Sequence, residues 1–567
     1  MSSFRLSYHG RFLLGAAVLL IAAVGAIAYL VSSYAALQSW YLGLNSCFYR
    51  VESWPTQFFT PAVKAQGNLL CALALGLCTL GLAYLAYRWR QAPTAPLAAP
   101  PSWLRRADAL YLLPVLATAS GLWWWGQAAV VPGTDEVFSA LYCARLPAFQ
   151  TVAYYMLPNN HLLFNLLNGG LFGGADNLVA TGRLLSGVAY LVTVAAAYGW
   201  FRQLTEHRLL AALVALTVAL QFPLWGFGFQ ARGYALYALA HWGAFIGLFG
   251  YLQYRRGGWL LLNAVSCAAG YAVVPTFLYF HLGQLAFGVV YQLLRRELDW
   301  RFWRYQAAAL VAVFLFYLPA LSFSGLAALT SNEYVRPKSA TLGGFLPSFG
   351  QDLQGYVTYC FSRVKVLGVQ LSYVLALLPL LLRAKRNTIW FAYGLFYALL
   401  LLVLVLLMIG MRRSTNQRNL IGHCSLAQAL VPATLYWLLS RLPAHWRAAR
   451  WQLGVTAGLL LILGLKFAKT NPIAKAEDLY LFDNTTAYRA IEDGVQTIPA
   501  GRSVAFSWES FNAYHAARQR GLRCSLPCEP ASADYYVVYG REKLPVALAS
   551  QYELASTFPK HRIYRRR

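Results

Sequence analysis

The chain has 567 residues, 59% hydrophobic and 12% charged, with a mean hydropathy of +0.47. Soluble domains carry about 45–50% apolar and about 25% charged residues, so a soluble enzyme, a disordered chain and a disulfide-stapled secreted module are excluded. The net charge of +27 has neither zinc-finger spacing nor a continuous arginine-rich arm behind it, which argues against nucleic acid as a partner.

Basic residues instead punctuate the gaps between apolar blocks, the pattern of a polytopic α-helical membrane protein. The spacing predicts thirteen transmembrane helices, near 12–34, 65–86, 108–130, 184–201, 209–222, 235–253, 259–275, 278–294, 305–321, 366–382, 388–410, 422–440 and 451–467. The first block follows Arg5 and Arg11 and is longer than a signal-peptide core, so it reads as a retained span. With the N-terminus inside, short cytoplasmic segments hold twenty Lys and Arg residues and external segments before the tail hold twelve. That bias predicts a cytoplasmic N-terminus and an external C-terminus.

Two external segments, 131–183 and 322–365, are longer than simple turns and invite a functional reading. Apolar stretches at 137–157 and 161–172 in the first predict short interfacial helices. The division that follows is 1–107, two N-terminal spans; 108–467, a membrane domain; and 468–567, a soluble tail holding ten of the twenty acidic residues. Helix-like 485–494 and 511–520 and strand-like 503–508 and 535–539 predict a small α/β tail domain. Cys71, Cys78 and Cys267 read as small buried hydrophobes. Cys524 and Cys528 are expected to form a local disulfide if the tail meets an oxidising compartment. The basic run 561–567 is expected to meet anionic lipid or remain solvated.

Asp135-Glu136 is the only adjacent pair among the external acids before the tail, and the polar run Asn159-Asn160-His161 follows it. Carboxylate, imidazole and carboxamides at one membrane surface can abstract a proton and orient a hydroxyl or a phosphate. External arginines suit phosphate oxygens: Arg232 first, then Arg183, Arg412, Arg413 and Arg418. Asp135, Glu136, His161 and Asp176 could in principle gather around a divalent ion. With no HExxH or EF-hand pattern, the reading is no metal and no other cofactor.

The order of Asp135-Glu136, Asn159-Asn160-His161-Leu162-Leu163, Gly182-Arg183-Leu184-Leu185-Ser186-Gly187 and Gln230-Ala231-Arg232-Gly233-Tyr234 relative to the spans resembles the GT-C integral-membrane glycosyltransferases. The branch is that of bacterial relatives of protein O-mannosyltransferases and the lipid A aminoarabinose transferase. The resemblance covers roughly 108–467. It implies transfer of a sugar from a polyprenyl-phosphate donor to a lipid, glycan or protein acceptor at the external face, with inversion, in a bacterial inner membrane. It also implies Asp135 as catalytic base and Glu136 in support. Asn159, Asn160, His161 and Asp176 would orient donor or acceptor, and the tail would meet envelope-biosynthesis partners. The family's proline-containing stretch after the histidine is absent here, and two additional spans precede the acidic pair. The competing readings are a ligase or polymerase with a pyrophosphate-linked donor, and a lipid or solute transporter.

Overall fold

The structure is a computed structural model and describes residues 8–90, 105–330, 336–361, 388–439, 485–528, 533–558 and 560–567, apart from 159, 176 and 541, with positions 377, 378, 385, 454, 458, 465 and 473 besides. Among the described residues, seven helices are long and apolar enough to cross a bilayer: Phe12–Val31, Pro61–Arg90, Leu178–Thr205, Tyr234–Tyr254, Pro275–Arg295, Trp300–Phe323 and Ile389–Gly410. This is a multi-pass membrane protein. Helices Ala109–Ala129 and Ile421–Leu439 occupy two further expected spans, and the shorter Gly257–Val273 stands at the expected 259–275. The expected spans 366–382 and 451–467 lie outside the described residues, isolated positions apart.

The helix Leu178–Thr205 shows why these segments suit a bilayer. Leu184, Val188 and Val192, four residues apart on one face, are 45%, 50% and 46% exposed, whereas Tyr190, Val194 and Tyr198 are fully buried. An apolar stripe facing outward would be costly in water and costs nothing against lipid tails. At the expected span 209–222 the helix Arg208–Ala219 breaks, and the chain resumes as the helix Phe222–Gly228, bent by 68°. Tyr190 donates its hydroxyl to the Ala219 carbonyl at 2.8 Å, so one carbonyl freed by the break keeps a partner.

Charged loops gather at two ends. At one end Asp108 accepts from Arg202 and Arg208 at 2.9 and 3.0 Å, Gln203 meets Tyr254, and Arg255 pairs with Asp299. The other end holds the loop that follows the helix Tyr34–Leu44, the 131–183 segment, the turn bearing Arg412–Arg418, and the tail. Short helices Thr134–Ser139, Ala148–Ala153 and Leu162–Phe172 and a π-helical turn at Ala140–Ala144 build the 131–183 segment.

The tail is α/β, with helices Thr485–Gln496 and Phe511–Gln519 and strands β1 (Ser503–Phe506), β2 (Arg523–Ser525), β3 (Tyr535–Tyr539), β4 (Tyr552–Phe558) and β5 (His561–Arg566) in the order β2-β1-β3-β5-β4. β2, β1 and β3 run parallel; β5 pairs antiparallel with both β3 and β4. The basic run at 561–567 supplies strand β5, and its Arg565, Arg566 and Arg567 are exposed. His561 and Ile563, two residues apart on one face, are buried, whereas Arg565 and Arg566 at the end of the strand are exposed.

The tail docks on the membrane domain. Phe511 packs edge-on to Phe138, Asn512 donates to the Thr134 hydroxyl at 3.0 Å, and Tyr142 donates to the Trp508 carbonyl at 3.0 Å. Glu509 accepts from Tyr49 and pairs with Arg50 at 2.8 Å. The expected Cys524–Cys528 bridge is corrected as well: Cys528 is bonded to Cys47, 481 residues away, and Cys524 is a free thiol. Docking brings two chain segments together that no sequence spacing relates.

Candidate functional site

The acidic pair opens the short helix Thr134–Ser139. Glu136 folds back so that its carboxylate accepts from the Gly133 amide at 2.8 Å, satisfying a donor that the helix start leaves open. The same carboxylate takes Arg183 Nε at 2.9 Å, Arg183 Nη2 at 3.0 Å and the Ala231 amide at 2.7 Å. Arg183 spends its remaining donors on the carbonyls of Gln127, Val130 and Val131. Both side chains are buried. Gly182 permits this approach, since a Cβ there would lie 2.8 Å from that of Ala231. The outcome is a closed ion pair that ties the acidic helix to the helix Leu178–Thr205 and to the turn before Tyr234–Tyr254.

Asp135, one residue earlier and so about 100° around the helix, faces a different neighbourhood. Its Oδ2 pairs with Arg232 Nη1 at 3.3 Å and Arg418 Nη1 at 3.1 Å, and its side chain is 23% exposed. Arg232 is buried, and Ser186 donates to its carbonyl at 3.0 Å, fixing the turn that carries it. Both guanidiniums lie 5.6 Å from the ring centre of Tyr234, on which they can rest as cations on a π face.

His161 completes the cluster. The Gly233 amide donates to its Nδ1 at 3.0 Å, which puts the proton of the neutral ring on Nε2. A side chain at Gly233 would meet that nitrogen at 2.6 Å, so this contact requires glycine. Nε2 lies 3.2 Å from Arg232 Nη2. Two N–H donors at that distance cannot bond each other, but both can serve one acceptor oxygen. Burial first, then Arg232 and Arg418, hold His161 well below the usual imidazole range, so it acts as a neutral donor.

The other expected residues divide. Asn160 is internal scaffolding: it donates to the carbonyls of Thr151 and Tyr154 and accepts from Asn165 at 2.8 Å. Asn159 and Asp176 lie outside the described residues. Arg412 donates to the Ala340 carbonyl, and Arg413 lies near Asp352, itself paired with Lys338 at 2.7 Å. The structure thus brings together Asp135, Arg232, Arg418 and His161, sets Glu136 with Arg183 behind them, and gives Arg412 a separate partner in the 336–361 segment. Among the described residues no three His, Cys, Asp or Glu side chains gather closely enough to hold a metal.

Tyr234 stands beside Arg232-Gly233 in the sequence reading without a role, and Asn512, which reaches the acidic helix from the tail, is not singled out there. The first was legible as an aromatic at a helix start; nothing in the sequence signalled the second.

No protein-family model matches the chain, and no curated protein does. Among solved structures, the chain is similar to ArnT from Cupriavidus metallidurans in the apo state, at a TM-score of 0.48 and 14% identity over 81% of this chain and 98% of that one. It is similar to ArnT from the same organism bound to undecaprenyl phosphate, at 0.44 and 16% over 80% and 98%. It is also similar to the archaeal oligosaccharyltransferase AglB from Archaeoglobus fulgidus in complex with an inhibitory peptide and a dolichol-phosphate, at 0.42 and 10% over 77% and 70%.

Proposed function

We propose that the protein is a GT-C type glycosyltransferase that moves a sugar from a polyprenyl-phosphate donor to a lipid, glycan or protein acceptor at the extracytoplasmic face of a bacterial inner membrane. One observation carries this reading: Arg232, Arg418 and the Nε2–H of His161 converge beside the partly exposed carboxylate of Asp135. Fixed cations and a neutral donor suit a phosphate, and the neighbouring carboxylate suits a base. The Cys47–Cys528 bond supports placing this end outside, where disulfides persist.

In the free protein the Asp135 carboxylate occupies both arginines. A donor phosphate arriving there takes over the guanidiniums and leaves the carboxylate to the acceptor. Asp135 then accepts the proton of the acceptor hydroxyl as that oxygen attacks the anomeric carbon from the side opposite the phosphate. The anomeric C–O bond breaks, its electron pair stays on the phosphate oxygen, and Arg232, Arg418 and His161 hold the developing charge. The products are an inverted glycoside and polyprenyl phosphate, with the proton on Asp135. Glu136 and Arg183 take no part in bond changes; they position the helix.

The test is donor binding in nanodiscs. Undecaprenyl phosphate should bind the wild type and bind Arg232→Ala roughly 10- to 100-fold more weakly, the loss of one charge-assisted contact. A wild type that ignores undecaprenyl phosphate and its sugar-bearing forms would overturn the reading.

A further inference from the structure

Below the arginine layer, two buried histidines pack against each other in an aromatic surround. Tyr234, Tyr237 and His241 follow one another at three and four residues on the helix Tyr234–Tyr254, so they share one face. His241 thus sits about 10 Å further along the helix than Tyr234. His423 descends in parallel, at the start of the helix Ile421–Leu439, five residues after Arg418. Two strands of chain that meet at Tyr234 through Arg232 and Arg418 therefore meet again at His241 and His423, whose rings are 5.3 Å apart. Gly422 allows it, because a Cβ there would lie 2.2 Å from Cγ of His241.

The hydrogen bonding of this pair is open. His241 donates from Nδ1 to the Tyr237 carbonyl at 2.8 Å, which leaves Nε2 as an acceptor. That nitrogen, and both ring nitrogens of His423, have no hydrogen-bond partner among the described residues, although the two side chains are 0% and 3% exposed. Phe277 and Phe280 close around His241 with ring centres 4.6 Å away, and neither can supply a partner. Buried polar atoms of native proteins are almost always paired, so three open ring nitrogens side by side call for a partner.

The contrast within the same bundle is direct. Asn263, Gln284, Gln306 and His281 are equally buried, yet they bond one another: Asn263 to Gln284 at 2.8 Å, Gln306 to Asn263 at 2.8 Å, and His281 to Gln306 at 2.9 Å. Each of these side chains has partners within the protein, the Ala244 carbonyl and the Tyr271 hydroxyl among them. The histidine pair offers two acceptors and one donor in an aromatic surround, the complement of a hydroxyl group that must both give and take a hydrogen bond.

We infer that His241 and His423 form a subsite for the hydroxyl groups of the donor sugar remote from its anomeric carbon, resting on the reading of the Asp135 cluster as the site of phosphate departure. The phosphate would lie at Arg232 and Arg418, the anomeric carbon beside Asp135, and the far edge of the ring at the two imidazoles. An aromatic wall with a few placed polar groups is the usual build of a small-molecule site, and here those groups would select among sugars by which hydroxyl each one meets.

The experiment compares bare undecaprenyl phosphate with undecaprenyl phosphate carrying mannose, glucose, galactose, arabinose or 4-amino-4-deoxyarabinose, bound to the full chain in nanodiscs. Wild type should bind at least one sugar-bearing lipid more tightly than the bare lipid. His423→Phe and His241→Phe, which suit an aromatic surround, should lose that gain by roughly 10- to 100-fold while binding bare undecaprenyl phosphate within about twofold of wild type. His423→Gln, which keeps a donor and an acceptor, should recover part of the gain and serves if the phenylalanine variants fail to fold. A sugar preference unchanged in the histidine variants overturns the subsite. So does a wild type that binds the bare lipid and gains nothing from any of the five sugars. Failure of the wild type to bind any of these lipids instead removes the function on which the subsite rests.

Discussion

Glu136 and Asp135 are neighbours in sequence and opposites in setting. Glu136 is 2% exposed and its oxygens are taken by Arg183 and by two backbone amides, whereas Asp135 is reachable and held by two arginines of which Arg418 is itself partly exposed. A short helix sends adjacent side chains about 100° apart, one into the seam between helices and the other toward the open edge. The difference teaches which kind of ion pair builds a site and which kind works in one. A buried pair with every lone pair satisfied is expensive to break and has nothing left to offer a substrate. A pair that shares one carboxylate between two cations can exchange it for a phosphate.

The largest expected effect lies at the closed corner. Glu136→Gln leaves the buried Arg183 without its counter-charge, and loss of one partner of such a pair typically costs about 3–5 kcal/mol. Thermal unfolding in detergent should show that loss, with activity falling only as folded protein is lost; an unchanged melting point would break the distinction between the two carboxylates.

Next comes the clamp from the tail, whose Tyr488 and His515 lie near Glu136 and Arg183. Cys47→Ser should remove stabilisation of about 2–4 kcal/mol from docking of the tail, seen as faster proteolysis of residues 485–567. Non-reduced peptide mapping should recover Cys47 joined to Cys528, and a Cys524–Cys528 peptide would contradict the docking geometry. Arg418→Ala, at the open corner, should weaken binding of undecaprenyl phosphate by about 1.5–3 kcal/mol while leaving the melting point near that of wild type.

A pH dependence is also expected beneath the tail. Burial first, and Arg183 and Arg145 after it, push His515 down to about 4, against the pull of Glu136; Gln519 lies 3.0 Å from its Nε2. The unfolded imidazole titrates near 6.5. Below that value the undocked tail takes up a proton that the docked tail refuses, so docking weakens as pH falls from about 6.5 toward 4. Above it the residue contributes no pH slope. His515→Gln should flatten the fall in melting temperature over that window.

Much of this contrast was within reach of the sequence, and the missing part has identifiable causes. Apolar blocks and basic gaps marked the spans because a bilayer imposes both length and charge distribution. Asp135, His161, Arg232 and Arg418 could be singled out because few polar residues fall at the ends of apolar segments. Which carboxylate of the pair would be buried could not be read, because it depends on Arg183 arriving from 47 residues away. Arg183 looked like a phosphate ligand for the same reason that it is a good structural one, a fork of donors at a helix start. Cys47 was hidden by distance along the chain. The strand His561–Arg566 was hidden by its charge, since its arginines mask the inward period of His561 and Ile563. The 209–222 break was visible only as Pro223, and proline in a first turn is equally at home at an ordinary helix start.

The direct test of the central claim is single-turnover transfer by Asp135→Asn, with undecaprenyl-phosphate sugar prebound and its binding and the melting point measured on the same sample. The substitution keeps the size of the side chain and removes its ability to accept the proton. The account predicts a folded protein with wild-type melting that still binds donor and transfers roughly 100- to 10,000-fold more slowly. Transfer at the wild-type rate by that folded, donor-loaded variant would contradict it.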